Sequence, residues 1–149
     1  TWAGGRLPTE PEWMLAAGAA RGRIFPVDGV PVPGDDSWPA VARGRFRLNG
    51  LANGGAPVCC GPDASDGWRN TAPAGRFPRG ASETDLHDMA GNVWEWAAPA
   101  RDGACAGRVI KGGSWASSLY EMRIRNSAAR PGHGRSTEIG FRCARSANP

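Results

Sequence analysis

At 149 residues the chain is long enough for one domain with a real core and too short for two comfortable ones. Glycine (22) and proline (13) make up nearly a quarter of it, which excludes an architecture of long helices. The net charge of +4 rests on scattered arginines, with Lys111 the only lysine, and no apolar run reaches bilayer-spanning length, so neither a nucleic-acid nor a membrane partner is expected.

The first element is announced by Arg6-Leu7-Pro8-Thr9-Glu10-Pro11-Glu12-Trp13. Thr9 and Glu12 have the spacing of a capping box, and Pro11 falls in the first turn, where its missing N–H costs nothing. A helix is expected from about Glu10 to Ala20, ending near Arg21-Gly22, with Trp13, Ala16, Ala17 and Ala20 toward a core. From Arg23 to Pro39, repeated proline and glycine forbid a sustained helix or a central strand. Arg43 to Asn53 reads as irregular, Asn53-Gly54-Gly55 as a sharp turn, and Gly61 to Asn70 as a loop with Asp63 and Asp66 as turn formers. A sharper reading pairs Asn53 with Asp66 as oxygen ligands of an ion. Arg76-Phe77-Pro78 reads as extended.

The densest stretch is Asp88-Met89-Ala90-Gly91-Asn92-Val93-Trp94-Glu95-Trp96. Gly91-Asn92 is a turn signal because both residue types tolerate positive φ. Val93, Trp94 and Trp96 suit a strand edge or a packed loop. Asp88, Asn92 and Glu95 offer hard oxygen ligands on a bent backbone, which is what a calcium ion asks for. The competing reading is a turn followed by two core tryptophans, with Glu95 bonding nearby amides.

Val109-Ile110-Lys111-Gly112-Gly113-Ser114-Trp115 reads as a short strand ending in paired glycines, where backbone approaches something closely. No Ser-centred elbow surrounds Ser114, so a hydrogen-bonding role is expected rather than a nucleophile. Met122-Arg123-Ile124-Arg125 alternates like a strand with Arg123 and Arg125 on one face. Ala129 to Thr137 reads as a loop holding His133, and Glu138 to Ala144 as a final strand with Gly140 at a bulge or tight contact. His87 and His133 plus a carboxylate would suffice for an iron triad, but their spacing fits two loop histidines better. Cys59, Cys60, Cys105 and Cys143 show no metal spacing and leave the redox compartment open.

Three phrases occur in order: Gly5 to Trp13, Asp88 to Trp96, and Gly112-Gly113-Ser114-Trp115 with Ile139-Gly140-Phe141-Arg142. Together they resemble the formylglycine-generating enzyme, or sulfatase-modifying factor, family over essentially the whole chain. The resemblance implies an α+β fold, an irregular, loop-rich variant of the C-type lectin fold. Residues 1–149 would form the C-terminal portion of a single domain whose N-terminal part lies upstream, consistent with a chain that opens without methionine.

The resemblance also implies structural calcium. Asp88 and Glu95 side chains with the Gly91 and Val93 carbonyls would hold one ion; Asn53 and Asp66 side chains with the Gly54 and Trp68 carbonyls would hold a second. The family's oxidases bind copper through two cysteines shortly after Gly-Gly-Ser, and here Ser117 and Met122 stand at those positions. Thiolates suit Cu(I) because both are soft, whereas a hydroxyl cannot replace a thiolate and one thioether is a weak ligand. Copper and formylglycine generation are therefore not expected. Cys143 would pair with a cysteine just before Thr1, while Ala17 and Ser127 fill both halves of another family disulfide.

Three functions follow from the resemblance. In the first, the chain is the substrate-pocket part of a non-haem-iron oxygenase of the sulfoxide-synthase type. Its pocket would be lined by Trp94, Trp96, Ser114, Trp115 and Arg125, and its iron held by an upstream helical domain. The second is a non-catalytic, lectin-like module binding a small molecule or peptide, and the third a divergent formylglycine-generating oxidase.

Overall fold

A computed structural model describes residues 4–27, 68–98, 107–118 and 120–146. Helix α1 spans Glu10–Ala16 and starts as its sequence directs. Glu12 N donates to Thr9 Oγ1 at 3.4 Å, and Thr9 N donates back to the Glu12 carboxylate at 2.9 Å, closing the capping box. Arg6 adds a two-pronged contact to the same carboxylate at 2.7 and 2.6 Å. The Arg6 guanidinium, and after it the Thr9 N–H and hydroxyl, hold the Glu12 carboxyl at about 2 against an ordinary 4.5. Because the folded value is the lower one, this contribution is whole above the unfolded value and is lost as pH falls from about 4.5 toward about 2. Glu12→Gln is thus expected to be less stable than the parent in urea at neutral pH, with the gap closing across that acid range. The pair is exposed, so the gap should also shrink in salt. A gap unchanged by acid would remove the assignment.

The helix ends at Ala16 rather than near Ala20, because Gly18 turns the backbone to φ +98°. A 3-10 turn over Ala19–Arg21 follows and is closed by Gly22 at φ +70°. Trp13 and Ala17 are fully buried as expected, whereas Ala20 is exposed on that short turn.

The sheet holds β1 (Trp94–Trp96), β2 (Arg108–Lys111), β3 (Ala128–Arg130) and β4 (Ile139–Gly140) in the order β3-β2-β1-β4. β1 runs antiparallel to β2 and parallel to β4, and β2 is antiparallel to β3. Glu95 lies opposite both Lys111 and Gly140, so these three share one face. Trp94 with Ile139, and Trp96 with Ile110, share the other. Gly140 is the tight contact the sequence anticipates: a Cβ there would sit 3.0 Å from Val93 Cγ2.

Four further segments depart from expectation. Ala128–Arg130 is a strand where a loop is expected from Ala129, since pairing with β2 outweighs the weak strand propensity of its alanines. Met122–Arg125 is a run of turns rather than a strand, with Arg123 N bonded to Tyr120 O and Asn126 N to Arg123 O. Its alternation survives as burial, because Met122 and Ile124 are fully enclosed and Ile124 N donates to Ile24 O at 2.8 Å. The final strand keeps only Ile139–Gly140; beyond it the chain returns to the N-terminal segment, where Arg6 and Ala144 exchange backbone bonds of 3.0 and 2.7 Å. Arg76-Phe77-Pro78 leads straight into a 3-10 turn at Pro78–Gly80.

The described core has two clusters. Trp13, Ala17, Met89 and Ile124 pack under α1, and Phe25, Val27, Ala90 and Met122 pack beside them. Met89 and Ala90 are chain neighbours, so the turn that opens the Asp88–Trp96 stretch is rooted in both.

Candidate functional site

The turn before β1 is built from three left-handed residues, Asp88 (φ +56°), Gly91 (φ +78°) and Asn92 (φ +64°). Asp and Asn tolerate that region better than most residues, which is why these types stand here. Each is also tied down. Asp88 Oδ2 accepts from Gly75 N at 2.7 Å, and the Asn92 amide bonds both the N–H and the carbonyl of Ala72, at 3.0 and 3.1 Å. Gly91 N donates to Gly112 O, and Trp115 N donates to Asn92 O, both at 2.9 Å. The turn therefore fixes the paired glycines and Trp115 against β1.

Glu95 points to the α1 face and is only 5% exposed. Its carboxylate accepts from Trp13 Nε1 at 2.6 Å and from two nitrogens of Arg142, each at 2.6 Å. Arg142 also bonds the His87 carbonyl at 3.0 Å. Opposite Glu95, the fully buried Lys111 bonds Glu10 at 3.1 Å and lies 5.7 Å from the centre of the Trp13 ring. Burial pushes the Lys111 ammonium down, and the Glu10 carboxylate partly opposes that. One indole thus joins two charge pairs from four parts of the chain. The sequence marks Trp13 as core and Glu95 as an oxygen donor, but not this connection, and its only advance signal is arginine's preference for planar, two-pronged carboxylate partners.

These contacts bear on calcium. An ionised carboxylate has about four acceptor positions, and Glu95 uses three of them on Trp13 and Arg142. Asp88 Oδ1 has no hydrogen bond among the described residues. Each carboxylate thus keeps an acceptor position, and carboxylate and carbonyl oxygens are the donor types that suit calcium. Of the second expected site, Asn53, Gly54 and Asp66 lie outside the described residues, and Trp68 lies within them, half-buried. Asp63, Cys59, Cys60 and Cys105 also lie outside.

The residues at the family's copper positions do come together. Gly112 and Gly113 adopt φ +92° and +75°. A Cβ on Gly112 would lie 3.1 Å from Trp13 Cζ2; on Gly113 it would lie 2.8 Å from Met122 Cγ and 3.2 Å from Ser117 Cβ. Ser117 and Met122 therefore both pack on Gly113. Met122 is fully buried in the Phe25, Val27 and Ala90 cluster, and Ser117 Oγ faces Ser114 Oγ at 3.4 Å. Gly113→Ala should destabilise the protein by roughly 2 kcal/mol, combining the left-handed penalty with overpacking against Met122. Its urea midpoint is the readout; Met122→Ala costs stability of its own by leaving a cavity, but in that background Gly113→Ala should recover part of its own cost because the space is open. No recovery would mean that backbone strain accounts for all of it.

Of the expected pocket, Trp94 and Ser114 are buried, Trp96 and Trp115 half-buried, and Arg125 exposed. The missed residue is Glu138, which links two of them. Its carboxylate accepts from Ser114 Oγ at 2.8 Å, and its carbonyl accepts from Trp94 N at 2.7 Å. Trp96 and Arg125 have no hydrogen bond or ion pair to this group among the described residues. Among the described residues, the Trp115 Nε1 and His87 Nδ1 atoms are enclosed without a hydrogen-bond partner. His133 is exposed, and no group of three His, Cys, Asp or Glu side chains suited to a metal forms among the described residues. Among the described residues Cys143 has no disulfide partner and is exposed, while Ala17 is buried and Ser127 exposed. No helix among the described residues is long and apolar enough to cross a membrane.

The sulfatase-modifying factor enzyme 1-like domain matches residues 1–147. Inactive C-alpha-formylglycine-generating enzyme 2 of Mus musculus is 34% identical over 98% of this chain and 44% of its own length. The formylglycine-generating enzyme of Thermomonospora curvata is 35% identical over 97% of this chain and 50% of its own. The chain thus spans about half the length of the curated relatives it matches. Among solved structures, PvdO from Pseudomonas aeruginosa aligns with a TM-score of 0.63 at 24% identity, covering 92% of this chain and 51% of PvdO. CarF aligns at 0.61 and 22%, covering 97% and 48%. At such identities these two likenesses speak to fold alone, and they agree with the small mixed sheet and single short α-helix described above. By its matched domain and its ordered motifs, the chain belongs to the formylglycine-generating enzyme, or sulfatase-modifying factor, family.

Proposed function

We propose that this chain is a ligand-recognition domain of its family that does not carry out copper-dependent formylglycine generation. The observation that carries the reading is the pair Ser117 and Met122. Both pack on Gly113, yet one offers a hydroxyl and the other a thioether buried in an apolar cluster. Copper in this family would supply oxygen activation at a pair of thiolates, and this donor set does not fit Cu(I). The mouse relative with 34% identity is itself named an inactive form, in keeping with the same outcome. An oxygenase role remains compatible with the chain as a substrate-binding part, with the half-buried Trp96 and Trp115 the expected pocket tryptophans open to a substrate and iron ligands drawn from a separate domain.

We further propose that calcium stabilises the Asp88–Glu95 turn through the open carboxylate positions noted above. One set of metal titrations tests these readings on the native protein. The protein should take up no stoichiometric Cu(I) against a competing chelator, and its melting temperature should rise in calcium relative to chelator. Tight Cu(I) uptake would overturn the loss of copper chemistry, and an unchanged melting temperature would remove calcium. About one equivalent of iron in the purified protein would favour the oxygenase reading over a purely binding module.

A further inference from the structure

Glu10, Glu12, Glu83 and Glu95 each face a lysine or arginine, and Glu121 caps the turn at Ser118. Glu138 differs. It is half-buried, forms no ion pair among the described residues, and is held at both backbone ends, its carbonyl by Trp94 N and its N–H by Ser136 Oγ at 3.1 Å. Ser114 Oγ, fully buried, gives its proton to Glu138 Oε2 at 2.8 Å and accepts from Ala116 N at 3.2 Å. With that proton spent, the Ser117 hydroxyl is the donor in the 3.4 Å contact to Ser114. A chain of hydroxyls therefore runs outward from Ser117 through Ser114 and ends on Glu138, whose Oε1 has no hydrogen bond among the described residues.

We propose that Glu138 Oε1 anchors the cationic group of the ligand, a primary ammonium or a guanidinium. This rests on the reading of the chain as a recognition domain. A half-buried carboxylate pre-positioned by a buried hydroxyl loses little on binding, and a cation with N–H donors answers it with charge-assisted bonds. In a chain of net charge +4 that sets lysine or arginine against four other glutamates, leaving this one open selects for a positive partner from outside. Replacing a copper-position thiolate by Ser117 converts a metal-binding corner into the buried start of that polar chain.

The test is calorimetric titration of the native protein with n-butylguanidinium and with the peptide Gly-Gly-Arg-Gly, using butyrate as the anionic control. Saturable binding of a cation but not of butyrate is expected, and Glu138→Gln should weaken it about tenfold or more while still accepting from Ser114. Binding of n-butylguanidinium alone assigns the subsite to free small molecules, and tighter binding of the peptide assigns it to an arginine side chain. Binding of neither probe, equal binding of butyrate, or binding unchanged in Glu138→Gln would overturn the proposal. If Glu138→Gln fails to fold, Ser114→Ala, which keeps the carboxylate and removes its tether, should weaken binding several-fold, and no change there would overturn it equally. Failure of these titrations leaves the Cu(I) result standing, so the two readings fall separately.

Discussion

Glu95→Ala is expected to cost about 3–5 kcal/mol of folding stability, the range for breaking a buried ion pair by removing one partner. The substitution leaves the largely buried Arg142 without its carboxylate and the fully buried Trp13 Nε1 without its acceptor. The loss comes from stranded donors more than from the pair's own attraction, because burying any charge already costs much of what pairing returns. Glu95→Gln should recover a fraction, since one amide oxygen can accept from Trp13 or Arg142 but not from both in the same two-pronged geometry. Urea unfolding with and without chelator separates the two roles proposed for this residue. A loss that persists in chelator belongs to the Trp13–Glu95–Arg142 network, and one that vanishes there belongs to calcium.

Trp13→Ala should be comparably severe, about 3–5 kcal/mol, the usual range for removing a buried aromatic side chain. Trp13 is fully buried, packs with Ala17, Met89 and Ile124, donates to Glu95, and lies beside the Lys111 ammonium. Its ring edge also lies where a Cβ on Gly112 would go. Removing it opens a cavity between helix and sheet and withdraws partners from two buried charges at once. Trp13→Phe keeps most of the volume and loses the N–H, so it isolates the hydrogen bond and should cost clearly less. Because Trp13 and Glu95 share one bond, the double substitution should fall short of the sum of the singles by roughly 0.5–3 kcal/mol in a double-mutant cycle. Full additivity would mean that the 2.6 Å contact contributes nothing in solution.

Local chemistry was legible in the sequence wherever a few neighbouring residues decide the outcome. The Thr9–Glu12 capping box, the left-handed turn at Gly91-Asn92, the strand ending in Gly112-Gly113 and the close approach at Gly140 all follow from such short-range rules. The order of three such phrases also pointed to the family. Calcium ligation at Asp88 and Glu95 stays a proposal, and the Asn53–Asp66 loop lies outside the described residues. Tertiary structure decided the rest. Ala128–Arg130 became a strand only through its register with β2, and Met122–Arg125 lost its strand because Ile124 bonds a distant carbonyl instead. The partners Trp13, Glu95 and Arg142 lie 82 and 47 residues apart in pairs, and Ser114 and Glu138 are 24 apart. No periodicity encodes such meetings, because they depend on which faces of helix and sheet are pressed together, and only the folded chain sets that.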